Sequence, residues 1–254
     1  MNTLINEILT AMPTVTLEGM TNLRLMDRRD CKYAAPASLL PSLLEQMNLA
    51  FRVQVNEGTA VSAYATQYFD TCDLGMFLMH QNGKLNRQKI RIRSYVDSRT
   101  SFLEIKNKNN KGRTSKQRIP IHRPNLSVTD ILPCEREFID ARSLFGSETL
   151  ASALSNRFHR LTFINNRATE RVTIDIGLSF LNYRTGREIA LEDLMILELK
   201  QDGRQRSDFG DILHRARIKP VSFSKYCMGT ILTDPHVKYN RFKSKWNTIN
   251  KLIQ

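Results

Sequence analysis

Polar and apolar residues alternate along much of this chain. FRVQV, TAVSAYATQYFDT, KLNRQKIRIRSYV, SFLEIKNK, SKQRIPI, RLTFINN, RVTIDIGLSF and LMILELK each alternate or are rich in β-formers, and VNEG, HQNG and NKNNKGRT supply turns between several of them. The pattern predicts an antiparallel sheet of about seven to nine strands. Helical spacing is confined to NTLINEILTAM near the start, PASLLPSLLEQMN at 36–48, DFGDILHRARI at 208–218 and the C-terminal segment. No internal repeat or low-complexity linker interrupts the pattern.

A period of two sorts the side chains of each strand onto faces. In KIRIRSY, Lys89, Arg91 and Arg93 share one side, and Ile90 and Ile92 the other. SFLEIKNK sets Glu104, Lys106 and Lys108 against Leu103 and Ile105. SKQRIPI sets Lys116 and Arg118 against Ile119 and Ile121. RVTIDIGLSF places Arg171, Thr173 and Asp175 opposite Val172, Ile174 and Ile176, and LMILELK places Glu198 and Lys200 opposite Leu197 and Leu199. Such faces are open to two readings: a sandwich exposing its charges to water, or a closed barrel with the charges inside and helices covering the aliphatic exterior. Glutamates among the cations weaken a simple nucleic-acid grip. They suit a site holding phosphate together with a divalent cation.

Charge adds to this picture. The 254 residues carry 38 Lys and Arg against 25 Asp and Glu, a formal net charge of +13. That excess favours a polyanionic partner without choosing among nucleic acid, a membrane surface and a phosphate-rich small molecule. At 41% hydrophobic residues the chain can bury a sizeable core. Cys31, Cys72, Cys134 and Cys227 are widely spaced, which argues against zinc ribbons and redox pairs and for a reducing compartment. The N-terminus has no basic region or cleavage site of a secretory signal, and no apolar run spans a bilayer. A cytoplasmic protein is the expectation, with peripheral placement at the inner face of the membrane as a variant.

MDRRDCKY at 26–33, QYFDT at 67–71, KIRIRSY, FLEIKNK, the SKQR run at 115–118, NNRA at 165–168, RVTID at 171–175, ILELK at 196–200 and FSKY at 223–226 occur in this order. In them the chain resembles the VTC (vacuolar transporter chaperone) domain polyphosphate polymerases of the triphosphate tunnel metalloenzyme, CYTH-like superfamily, as a stand-alone domain of bacterial type. The resemblance implies an α+β, mainly antiparallel fold closed into an eight-stranded-type barrel with a charged lumen, over residues 21–232. A helical segment at 1–20 precedes it, and an amphipathic helix at 233–254 packs on or near the tunnel. It further implies Lys32, Arg91, Arg93, Lys106 and Lys225 as catalytic residues, and Lys89, Lys116, Arg118, Arg167, Arg171 and Lys200 as phosphate ligands. Glu198 would be the ligand of Mn²⁺ or Mg²⁺. Glu104 is either a second carboxylate for the metal or a structural partner of neighbouring cations. Where the family has an aromatic shortly before the first of the paired arginines assigned to Arg167 and Arg171, this chain has Asn165 and Asn166.

The implied reaction moves the γ-phosphoryl of ATP onto an inorganic polyphosphate chain, with hydrolysis of a triphosphate as the rival activity. A non-catalytic polyphosphate or inositol-phosphate sensor is the alternative from outside the enzymes. A specific nucleic-acid partner ranks last, because the inward strand faces read as poor in aromatics on which bases could stack. His80, His122, His159, His214 and His236 lack metal-ligand spacing, and the cysteines read as buried small residues. NKNNKGRT reads as a solvated hairpin tip, with a polyphosphate-guiding mouth as its alternative. Tyr239, Phe242, Trp246 and Ile249 at three- and four-residue spacing make the C-terminal segment amphipathic, to pack on the barrel or to dock on an integral-membrane partner.

Overall fold

The computed structural model describes residues 3–21, 28–122, 130–203 and 206–252. Asn2 of the first helical stretch, and Met26 and Asp27 of MDRRDCKY, lie outside them. The strands are β1 (Thr14–Val15), β2 (Arg28–Pro36), β3 (Phe51–Gln54), β4 (Val61–Thr71), β5 (Arg87–Tyr95) and β6 (Thr100–Lys108), followed by β7 (Thr114–Ile121), β8 (Leu150–Asn165), β9 (Glu170–Asn182), β10 (Glu188–Leu191) and β11 (Leu194–Asp202). The helices are α1 (Thr3–Ala11), α2 (Leu17–Thr21), α3 (Leu40–Met47), α4 (Gly75–Gln81), α5 (Pro133–Asp140), α6 (Asp208–Arg215), α7 (Lys225–Thr233) and α8 (Lys243–Asn250).

The strands form one sheet in the order β2-β11-β9-β8-β4-β5-β6-β7, antiparallel at every step. β10 extends β9, β3 extends β8, and β1 joins β3 in parallel. The α+β, mainly antiparallel expectation holds. Closure into a barrel does not: among the described residues no ladder joins β7 to β2. β7 is largely exposed and contains Pro120, which cannot donate to a neighbouring strand. The free edge of β2 is taken elsewhere, since Tyr33 bridges Pro220 and the Val221 N–H donates to the Lys32 carbonyl at 2.8 Å. The sheet is nevertheless curled, because Lys106 on β6 lies within electrostatic reach of Lys32 on β2 and Glu198 on β11. Phe223 and Ser224 bridge the two ends: Lys32 Nζ donates to the Phe223 carbonyl at 3.2 Å, and Lys89 Nζ to Ser224 Oγ at 3.0 Å.

Two apolar clusters cover the outside. Val172, Ile174, Leu197 and Leu199 pack under Leu9 of α1, Leu43, Leu44 and Met47 of α3 and Phe209 and Ile212 of α6. Ile90, Ile92, Leu103 and Ile105 pack against Met76 of α4 and Phe138 and Ile139 of α5. The aliphatic faces therefore point outward and are buried, each side chain contributing about 1.5–3 kcal/mol.

A third cluster lies on the inner face. Between Arg157 and His159 the β8–β9 register shifts, leaving Gly177 as the extra residue at φ +59°. A shift of one residue exchanges faces. Before it Arg171, Thr173 and Asp175 point inward; after it Leu178 and Phe180 do, forming a floor for α7. Gly229 of α7 sits so close to Phe180 and Leu154 that a Cβ there would come within 2.5 and 2.6 Å of them. The sequence pattern misses α7 because Tyr226 through Ile231 are all buried, so no amphipathic stripe shows. Phe242 and Ile249 of the C-terminal segment are buried in this same cluster, with Phe242 stacked on Phe77 at 6.1 Å. Its apolar stripe is thus used inside the protein. Cys227 is buried as expected, whereas Cys72 and Cys134 are exposed in turn and helix-start positions that the pattern could not place. Among the described residues, no helix is long and apolar enough to cross a membrane.

Candidate active site

Strand register turns the inner face of β5, β6 and β7 into rungs. Arg93 lies across from Phe102. The next rung is Arg91, Glu104 and Arg118; the one after is Lys89, Lys106 and Lys116. Glu104, 1% exposed, accepts from Arg91 Nε and Nη2 at 2.8 and 2.6 Å and from Lys116 Nζ at 3.1 Å. Burial pushes its carboxyl up, but Arg91, Arg93 and Lys116 outweigh burial and hold it at about 2. Both oxygens of Glu104 are thus engaged by cations of the neighbouring strands. The lysine rung has no carboxylate. Burial, with Arg91 and Lys32 nearby, lowers Lys106 to about 8 although its side chain meets water, and burial with Lys32, Arg91 and Arg87 does the same to Lys89.

The facing wall, β8, β9, β11 and β2, is matched in charge. Glu198 lies between Thr173 and Lys32 in register and accepts from Lys200 Nζ at 2.6 Å, while Lys200 also reaches Asp30 at 3.2 Å. Burial raises the Glu198 carboxyl, and Lys32, Lys200 and Arg160 bring it back to about 2. Asp175, 2% exposed, accepts from Arg160 Nε and Nη2 at 2.6 and 2.8 Å and from Lys225 Nζ. Burial opposes its ionisation, yet Arg160 and Lys225 hold it well below the carboxylate range; Lys225 itself is lowered to about 8, by burial first and Arg160 next.

Lys32, Lys89, Arg91, Arg93, Lys106, Lys116, Arg118, Arg171, Glu198, Lys200 and Lys225 therefore belong to one concave face. Arg167 does not join them. It sits in the β8–β9 turn, exposed, and pairs with Asp208 of α6 at 2.6 Å. Arg160 of β8 lies on the concave face and is anchored by Asp175. The signal for Arg160 was present in RFHRL: Phe158 supplies an aromatic two residues before an arginine, the feature missing at Asn165–Asn166. The inner face is also richer in aromatics than the pattern suggested. Tyr64 stacks on Phe158 at 5.2 Å and contacts Tyr95 at 5.0 Å, and Arg160 lies 5.1 Å over Tyr64. These rings brace the guanidiniums.

Among the described residues, no three His, Cys, Asp or Glu side chains converge as a metal cage. Glu198 offers the concave face a hard carboxylate, held by Lys200 and close to Lys32. That donor set fits Mg²⁺ or Mn²⁺ only where phosphate oxygens and water complete the shell, which is how Mg²⁺ is usually held. Several buried polar atoms on the same face have no hydrogen-bond partner, namely Arg93 Nε, Arg171 Nε, Thr66 Oγ1, Thr173 Oγ1 and the Asn156 amide. An oxygen-rich ligand would satisfy the donors among them.

Comparison with solved structures finds the same fold in a candidate adenylyl cyclase from Hippeastrum, described as having a dominant triphosphatase activity. The two share 13% identity at a TM-score of 0.50, over 82% of this chain and 97% of that one. A Pyrococcus horikoshii protein aligns at 9% identity and TM-score 0.39, over 75% and 92% of the two chains. A conserved Pyrococcus furiosus protein aligns at 9% and 0.40, over 77% and 98%. No curated protein matches the chain. A model of the VTC domain matches residues 27–233, which takes in every one of the inner-face side chains described above. The chain belongs to the VTC domain family.

Proposed function

We propose that this protein is a metal-dependent polyphosphate polymerase that transfers the γ-phosphoryl of ATP to the end of an inorganic polyphosphate chain, releasing ADP. The observation that carries the reading is the concave face, where Lys89 and Lys106, neither of them ion-paired with a carboxylate among the described residues, face a wall presenting Glu198. Phosphoryl transfer needs positioning and charge neutralisation more than side-chain nucleophiles. Arg91 and Arg93 offer guanidiniums to non-bridging oxygens, with Arg91 oriented by Glu104 and Arg93 by its place beside Thr66 and Tyr64. Lys89, Lys106 and Lys225, each lowered to about 8, still carry their protons at neutral pH and gain stability when an anion arrives. Glu198 would hold Mn²⁺ or Mg²⁺ against the phosphate chain. A bound divalent ion supplies Lewis-acid stabilisation of charge on the transferring group. Lys32 and Lys200 flank Glu198 and keep its carboxylate ionised and oriented.

Triphosphate hydrolysis is the second reading. It is favoured by α7, which fills the inner face over Leu178 and Phe180 and so obstructs that side of the lumen as an exit, and by the fold shared with the Hippeastrum protein. Incubation with ATP and Mn²⁺, resolving ADP, free phosphate and polyphosphate, separates the two, with Glu198→Gln run alongside. Polymer with ADP in the wild type, lost in the variant, is the expected result. Free phosphate without polymer would replace the polymerase by the hydrolase.

A further inference from the structure

The rail of cations on β5 continues past the lysine rung. Arg87, two residues before Lys89, faces Lys108 directly across on β6, a like-charge pair that costs stability when left unpaired. His80 at the end of α4 and Lys245 on α8 approach the same spot. Among the described residues none of these side chains forms an ion pair with a carboxylate, while His80 Nε2 and Arg87 Nε are buried without hydrogen-bond partners. Burial and the charges of Lys89, Arg87, Lys108 and Lys245 hold the imidazole neutral. Lys89 links the two regions, being an electrostatic neighbour of Lys32 and Arg91 on one side and of Arg87 and His80 on the other.

We propose that Arg87, Lys108, Lys245 and His80 form a second anion site, which takes the distal phosphates of a chain that continues from the lumen. From Arg93 to Arg87 the rail spans six strand residues, about 20 Å, roughly twice the reach of three linked phosphates. The α7 plug covers the β8–β9 side of the inner face and leaves this β5–β6 rail polar. Lys245 lies beyond residues 27–233, so the site draws on an element outside the family match. The direction of the chain rests on the lumen reading above; the site itself rests on the uncompensated cluster.

The test measures binding of long-chain polyphosphate, tripolyphosphate and orthophosphate to the full chain and to a Lys108→Ala/Lys245→Ala double variant. Long-chain affinity is expected to fall by about tenfold, with tripolyphosphate affinity unchanged. Unchanged affinity for all three ligands overturns the site. Equal losses for tripolyphosphate and the long chain also overturn it, by making the two lysines part of the lumen or of the fold. Orthophosphate binding that disappears in the variant while long-chain affinity stays overturns the chain and assigns free phosphate. Wild-type protein that binds long chains through these lysines but turns over no ATP would leave the site standing and remove the polymerase.

Discussion

The two walls of the concave face solve the same electrostatic problem differently. On β8, β9 and β11, with Lys225 of α7 beside them, most inward charge is paired within the chain: Arg160 and Lys225 on Asp175, and Lys200 on Glu198 and Asp30; among the described residues Arg171 and Lys32 have no carboxylate partner. On β5 and β6, among the described residues, Arg91 is paired with Glu104, while Lys89, Lys106, Arg87 and Lys108 have no carboxylate partner. A paired buried charge is costly chiefly when one partner is removed, whereas an unpaired cation is costly already and is relieved by a ligand. The matched wall therefore sets shape, and the bare wall stores affinity for an anion. The difference makes opposite predictions for the two walls.

Asp175→Asn should have the largest effect. It strips a carboxylate 2% exposed from two cations, leaving Arg160 and Lys225 uncompensated, and should cost about 3 kcal/mol of stability in ligand-free protein at pH 7. Chemical denaturation measures the loss. Saturating tripolyphosphate should restore part of it by supplying the missing negative charge. A loss under about 0.5 kcal/mol would show that the matched wall is not what holds the shape.

The bare wall should respond with the opposite sign. Lys89→Met removes a cation that burial, with Lys32, Arg91 and Arg87 nearby, lowers from the ordinary lysine value of 10.5 to about 8. A depressed lysine costs the folded state below pH 8, and the cost disappears as pH rises towards 10.5, where the unfolded chain also loses its proton. Ligand-free Lys89→Met should thus be more stable than wild type by about 1 kcal/mol at pH 7, after discounting for its partial exposure and for the lost bond to Ser224. That advantage should vanish by about pH 10.5. Tripolyphosphate affinity moves the other way. It should drop in the variant at pH 7, and in the wild type it should fall as pH rises through 8 and Lys89, Lys106 and Lys225 discharge. Denaturation and titration calorimetry across pH 7–10.5 read both, and a destabilised Lys89→Met would mean that its bond to Ser224 outweighs the charge penalty.

How much of this could be read in advance differs by strand. KIRIRSY, FLEIKNK and SKQR keep a strict period of two from end to end, so their faces and the Arg91–Glu104–Arg118 rung follow from alternation once the strands pair. RVTIDIGLSF keeps it only as far as Asp175; the Gly177 bulge then exchanges faces, and no composition signal says that Leu178 and Phe180 turn inward. Closure was overestimated for a related reason. Alternation describes the faces of strands and is silent about edges, and here the edge of β2 goes to Pro220 and Val221.

Arg160 and Arg167 bring the limits of the pattern down to one experiment. Both lie within RFHRLTFINNRA, and the family resemblance at NNRA implies Arg167. The strand ends at Asn165, so the turn carries Arg167 out to Asp208, while Arg160 stays on the inner face opposite Ser62 and Asp175. An exposed ion pair of this kind, screened by water, adds little to stability. Arg167→Ala should therefore leave tripolyphosphate affinity unchanged and lower stability only slightly, the smallest effect of the set. A clear loss of affinity in Arg167→Ala would bring the β8–β9 turn into the site and move the boundary of the matched wall past Asn165.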